Sequence, residues 1–218
     1  MALSRLNYNS LNVTPVASKG IGFDSGADDL STDFSGGAIR FIKKLTASSS
    51  DTLSFVDGSA SVVLDDTYKE YMFIFNNIHP ETDGQQFRFQ TSIDTGSNYN
   101  VTITSTYFLA YHKEDGTEAA GPSYITGSDQ AQTTNFMVLG SGDAENDSGI
   151  SGYMHLYNPS STTFVKHFMA RTINDPSGYA QDEFTAGYFN DTNDIDAVQF
   201  KFASGDIDAG TISLYGIN

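Results

Sequence analysis

The stretch Ala197-Val-Gln-Phe-Lys-Phe-Ala-Ser-Gly-Asp-Ile-Asp-Ala-Gly-Thr-Ile-Ser-Leu-Tyr-Gly-Ile-Asn218 decides the reading of the fold. Val198, Phe200 and Phe202 alternate with Gln199 and Lys201, and Ile212 and Leu214 alternate with Thr211, Ser213 and Tyr215. A period of two gives each segment one face for a core and one for water, the mark of a half-buried strand. Ser204-Gly205-Asp206 and Gly210 supply turn chemistry between them, so the segment reads as a terminal hairpin.

The same pattern recurs upstream. Strands are expected over residues 38–45, 51–56, 60–64, 68–77, 86–93, 101–112, 134–139, 150–157, 163–172, 183–189, 195–203 and 211–215, with a short one at 123–125. In 68–77, Tyr71, Phe73 and Phe75 share one face while Met72 and Ile74 share the other. A strand apolar on both faces is a central strand. About ten strands at this spacing, with no capped helical period, predict an all-β chain built as a two-sheet antiparallel β-sandwich of jelly-roll type. A closed barrel is the second choice. No internal repeat of fixed period is present, which argues against a propeller or a solenoid.

Residues 1–37 differ in character. Glycine, asparagine, serine and proline interrupt scattered apolar residues such as Leu6, Leu11, Val13, Ile21 and Phe23. They are expected to form an extended N-terminal arm that anchors on a neighbouring subunit, with the sandwich occupying 38–218. The chain is expected to carry nothing beyond its last strand, which leaves attachment to that arm.

Twenty-seven acidic residues against eleven basic ones give a formal charge of −16. Such a chain repels phosphate backbones and anionic membranes, so neither nucleic acid nor a membrane is an expected partner. The first residues lack the apolar core of a signal peptide, and no apolar run is long enough to span a bilayer, so synthesis in a cytoplasm is expected. There is no cysteine, so disulfides and thiolate chemistry contribute nothing.

Catalytic signatures are weak. His79, His112, His155 and His167 fit no zinc spacing, although His155 and His167 are placed to face each other on adjacent strands. Gly149-Ile-Ser-Gly152 lacks the second half of a nucleophile elbow. The loops Asp143-Ala-Glu-Asn-Asp147 and Asp191-Thr-Asn-Asp-Ile-Asp196 offer oxygen ligands for calcium, but Asp and Asn are also ordinary turn residues. Tyr99, Tyr124 and Tyr179 lie in or beside loops where a ring can stack on a sugar or pack in an interface. The expectation is a protein that is not an enzyme, with no catalytic residue, cofactor or metal.

Tyr68-Lys-Glu-Tyr-Met-Phe-Ile-Phe-Asn-Asn-Ile-His-Pro80, Leu156-Tyr-Asn-Pro-Ser-Ser161 and the terminal segment resemble a group of small virion proteins of marine tailed bacteriophages, including cyanophages. The resemblance runs from the arm to the last residue and is most specific at Ser204-Gly205, Gly210 and Leu214-Tyr215-Gly216-Ile217. It implies a virion structural protein and carries no catalytic residues to transfer. The leading expectation is a capsid decoration or cement protein, or a short head fibre, held by its arm on the major capsid protein and assembled as a homotrimer. The alternative is a tail-associated fibre or adhesin that binds a host glycan or receptor through loops 113–132 and 140–149. A virion-borne glycan hydrolase is a distant third.

Overall fold

The structure is a computed structural model that describes residues 22–23, 30–31, 38–117 and 120–218. It divides into two units, Met1–Ala38 and Ile39–Asn218. In the first, β1 (Gly22–Phe23) pairs antiparallel with β2 (Leu30–Ser31). The rest of the expected arm lies outside the described residues.

The second unit is an antiparallel β-sandwich. Its strands are β3 (Ile39–Thr46), β4 (Leu53–Val56), β5 (Glu70–Pro80), β6 (Gln85–Ser92), β7 (Ile103–Lys113), β8 (Gly121–Tyr124) and β9 (Ala131–Thr133). They continue as β10 (Met137–Gly142), β11 (Ile150–Tyr157), β12 (Lys166–Asn174), β13 (Tyr179–Phe189), β14 (Ala197–Phe202) and β15 (Ile207–Ile217). A nine-stranded sheet runs β3-β15-β5-β11-β12-β13-β7-β8, with β9 also on β7, and a four-stranded sheet runs β10-β6-β14-β4.

The order defines a jelly roll. The first four strands of the large sheet, β3-β15-β5-β11, match the small sheet read as β4-β14-β6-β10, so strands consecutive in the chain hold equivalent places in the two sheets. At those four positions the chain passes from one sheet to the other, which is the double Greek key of this architecture. Insertions between β6 and β10 (β7–β9) and between β11 and β14 (β12, β13) then widen the large sheet.

The terminal hairpin is therefore corrected. β14 pairs with β6 and β4, whereas β15 pairs with β3 and β5, and the intervening turn carries the chain across the core. Alternation shows which face of a strand is buried, but it is identical for two strands side by side and for two strands facing each other. Gly210 marks the irregular start of β15: its φ is +111°, and a Cβ there would fall 2.4 Å from the Asn77 carbonyl oxygen. The strand expected over 60–64 is also absent. Ala60 and Ser61 take positive φ, and a loop delivers Val62 and Leu64 to the core instead.

Phenylalanine fills the space between the sheets. The Phe200 ring lies 5.3–6.3 Å, centroid to centroid, from the rings of Phe55, Phe73, Phe75, Phe87 and Phe89. Phe73 and Phe75 belong to the large sheet and the others to the small one, so this single ring joins both layers.

Polar chemistry seals one side. β10 is an edge of the small sheet, and edge carbonyls need donors. Thr172 Oγ1 donates to the Leu139 carbonyl, Thr185 Oγ1 to that of Val138 at 3.2 Å, and Asn174 Nδ2 to that of Ser141 at 2.5 Å. The inner face of the inserted strands β12 and β13 thus supplies the hydrogen bonds that a further strand would have made.

Glu183 sits within this seal, 1% exposed, bonded to the Tyr107 hydroxyl and accepting from Asn174 Nδ2 at 2.8 Å. Burial pushes its carboxyl up to about 8, so it is protonated at neutral pH.

Two predictions follow from this packing. Truncating Phe200 or Phe202 to alanine should cost about 3–5 kcal/mol in urea unfolding, and Phe200, with its five ring neighbours, should be the more costly. For Glu183, the folded state holds a proton that the unfolded chain releases near the ordinary value of 4.5. The native state is therefore favoured fully below that value and loses stability as pH rises through about 8. Glu183→Gln should flatten this dependence, and thermal melts of both proteins across the range will show whether the wild type falls relative to the variant.

Candidate interaction face

The sequence candidates for chemistry are dispersed. His155 and His167 lie on paired strands β11 and β12 and on the same outer face, but one register step apart, since Tyr157 is opposite His167 and His155 is opposite Met169. His155 Nδ1 is 2.5 Å from Glu70 Oε1, with its ring between those of Tyr153 and Tyr157, whereas His167 tilts against Tyr188. His79 Nε2 meets the Glu145 carbonyl at 2.8 Å, and His112 lies on β7 opposite Ala180. Among the described residues no group of three His, Cys, Asp or Glu is arranged to hold a metal.

The two acidic loops have internal partners. Asp143 accepts from the backbone N–H of Gly84 at 2.8 Å, from that of Ser177 at 2.5 Å and from Ser177 Oγ at 3.0 Å, so its carboxylate ties three segments together. In the other loop the ammonium of buried Lys166 donates to the Asp191 carbonyl at 3.2 Å and to that of Asn193. It takes up carbonyl oxygens of the kind a calcium ion would coordinate, and burial lowers its pKa. Ser151 Oγ, on β11, accepts from the Asn77 backbone N–H of β5 at 3.0 Å.

The three loop tyrosines do not converge. Tyr124 lies on β8 and donates to Asp129 Oδ2 at 2.7 Å; Tyr179 opens β13 and packs on Tyr111 beneath Lys113. Tyr99 follows β6, its hydroxyl beside Gly96.

What the tertiary structure assembles is a surface. On the outer face of the nine-stranded sheet the register aligns Phe41, Tyr215, Met72, His155 and Met169 in one row. Beside it run Ile74, Tyr153, Arg171, Phe184, Phe108 and Tyr124. Of the eight large apolar side chains exposed among the described residues, seven lie on this face, from Ile39 and Phe41 at one end to Phe108 and Tyr124 at the other; the eighth is Phe164, in a loop. Phe108 and Phe184 stack at 4.8 Å, and the Arg171 guanidinium covers Phe184 at 5.0 Å while it pairs with Asp182 through contacts of 2.8 and 2.7 Å.

The charge of this face is balanced. Its ionised side chains along the aligned rows are Lys44, Arg171, Glu70 and Asp182, two of each sign on a chain of −16. The one sequence signal that pointed to it was the apolar pair Met72 and Ile74 on the second face of β5. The remaining members come from seven other strands and were invisible as a group.

No protein-family model, no curated protein and no solved structure matches the chain.

The face yields a measurable expectation. Met169 is 55% exposed and Tyr153 40% exposed, so Met169→Asp and Tyr153→Asp should leave the melting temperature within a few degrees of the wild type. Both should nevertheless lower self-association in sedimentation equilibrium.

Proposed function

We propose that this protein is a structural component of a bacteriophage virion, a capsid decoration or cement protein or a short head fibre, that works by non-covalent assembly. The observation that carries the reading is the charge-balanced aromatic face of the nine-stranded sheet. Monomeric proteins rarely leave a contiguous apolar surface of this kind in water, and such surfaces mark association sites. From β3 to β7 the sheet spans six strand spacings, which at ~4.8 Å each and strand lengths of ~26 Å gives about 750 Å². That is close to the ~800 Å² per partner of a standard stable interface.

Copies of a chain this acidic repel one another at long range, so they meet most favourably where local charge cancels. The rest of the surface stays solvated and keeps the particle dispersed. The resemblance to small virion proteins of marine tailed phages supports the setting, and residues 1–37 supply the attachment to the major capsid protein. Seating on a three-fold capsid site would make the assembly a homotrimer. Many weak contacts per particle then add through multivalency.

A second reading, a tail-associated adhesin, is favoured by the acid-free hollow treated in the next subsection. Electron microscopy of the virion separates the two: hundreds of copies on the head are expected, and a few dozen on the tail would favour the adhesin. Deleting residues 1–37 should leave a folded body that no longer binds particles. Undiminished binding by that truncated protein would overturn the arm as anchor.

A further inference from the structure

The outer face of the four-stranded sheet holds a hollow of about 460 Å³ between β6, β14 and the loop leading into β10. Small-ligand sites typically span ~300–1,000 Å³. Its lining includes two of the eleven Lys and Arg residues of the chain and none of the twenty-seven Asp and Glu residues.

The two cations are Arg88 and Lys201, and the register places them directly opposite each other on β6 and β14. Phe87, Phe89, Phe200 and Phe202 occupy the alternate, inward positions, so both cations are committed to the outer side. Like charges directly opposed across two strands are destabilising unless a counter-charge lies between them. Among the described residues neither cation has a carboxylate partner. Arg88 Nη2 donates to the neutral Gln86 Oε1 at 2.5 Å, Arg88 Nε is buried with no hydrogen-bond partner, and Lys201 Nζ lies 5.5 Å from the centroid of the Phe136 ring. In a protein with this excess of acids, an opposed basic pair without a carboxylate leaves a place for an anionic ligand.

The other groups narrow the ligand. Ser128, Thr134 and Asn135 bring two hydroxyls and an amide, and Phe136 brings one aromatic face. A bare anion would need only the cations, whereas ring hydroxyls need neutral donors and acceptors, and a sugar ring needs a surface on which to stack. Extended polyanions are disfavoured by the charge of the whole chain.

We propose that this hollow is a binding site for an acidic sugar residue, its carboxylate or sulfate ester held between Arg88 and Lys201 and its ring beside Phe136. The site does not depend on the virion reading, because it uses the opposite sheet from the association face.

Isothermal titration of the full-length protein with trigalacturonic acid, a sulfated trisaccharide, maltotriose, sodium sulfate and a short poly-aspartate peptide tests the assignment. Binding of trigalacturonic acid or of the sulfated sugar is expected, the tighter of the two identifying the acid group, with maltotriose inert. Arg88→Gln and Lys201→Gln should each weaken that binding at least tenfold. Each substitution removes one of two opposed charges, so each variant should melt at or above the wild-type temperature, and loss of binding with an unchanged melt cannot be ascribed to unfolding. Should one variant fail to fold, the other carries the test. The proposal is overturned if neither acidic sugar binds, if both folded variants bind as the wild type does, or if sulfate alone or the peptide binds as tightly as the sugars. Failure here would leave the association face untouched, since that is read by sedimentation of the Met169 and Tyr153 variants.

Discussion

The packing of Phe200 against five other phenylalanine rings is the interaction on which the sandwich depends. With no disulfide available, apolar burial must hold the two sheets together. Edge-to-face and offset ring pairs add about 0.5–1.5 kcal/mol each beyond buried area, and Phe200 takes part in five. Because its neighbours come from both layers, the ring also fixes how the sheets lie over one another. Jelly-roll connectivity then follows from a chain that crosses between layers at each equivalent strand position, bringing residues as distant as Phe55 and Phe200 into contact.

The inserted strands β7 to β9, β12 and β13 widen the large sheet beyond the reach of the small one. That asymmetry has two consequences. On the inner side the exposed edge of β10 meets threonine and asparagine side chains that satisfy its carbonyls, and Glu183 is drawn into the same dry region, where it keeps its proton. On the outer side the widened sheet becomes one broad plane, and apolar and aromatic residues from eight strands join into a surface that a four-stranded sheet would be too narrow to present.

Charge organises the exterior as rings organise the core. A formal charge of −16 makes most of the surface repulsive to other acidic molecules, including further copies of the chain. Two regions depart from that background. One is the charge-balanced face of the large sheet, suited to protein contact; the other is the basic hollow on the small sheet, suited to a single acidic group. Under the proposed reading, a copy held by one side keeps the other accessible, because the two lie on opposite layers.

Much of this was legible in the order of residues. All-β character, the jelly-roll class, the inward set Phe73, Phe75, Phe200 and Phe202 and the central place of β5 follow from alternation and turn residues, which are local properties of the chain. Which strands are neighbours was not legible, because alternation is blind to partner. The supposed terminal hairpin is accordingly a crossing between sheets, and the expected strand over 60–64 is a loop whose Val62 and Leu64 alternate for burial alone. For the same reason the sites were hidden: Arg88 and Lys201 are 113 positions apart in sequence, 201 minus 88, and become an opposed pair only through β6–β14 register. By itself, then, the sequence determined which face of each strand leaves water, a matter of side-chain period and solvation. The tertiary structure alone decided which of those faces meet, because register and layer order are set by long-range packing around the phenylalanine core.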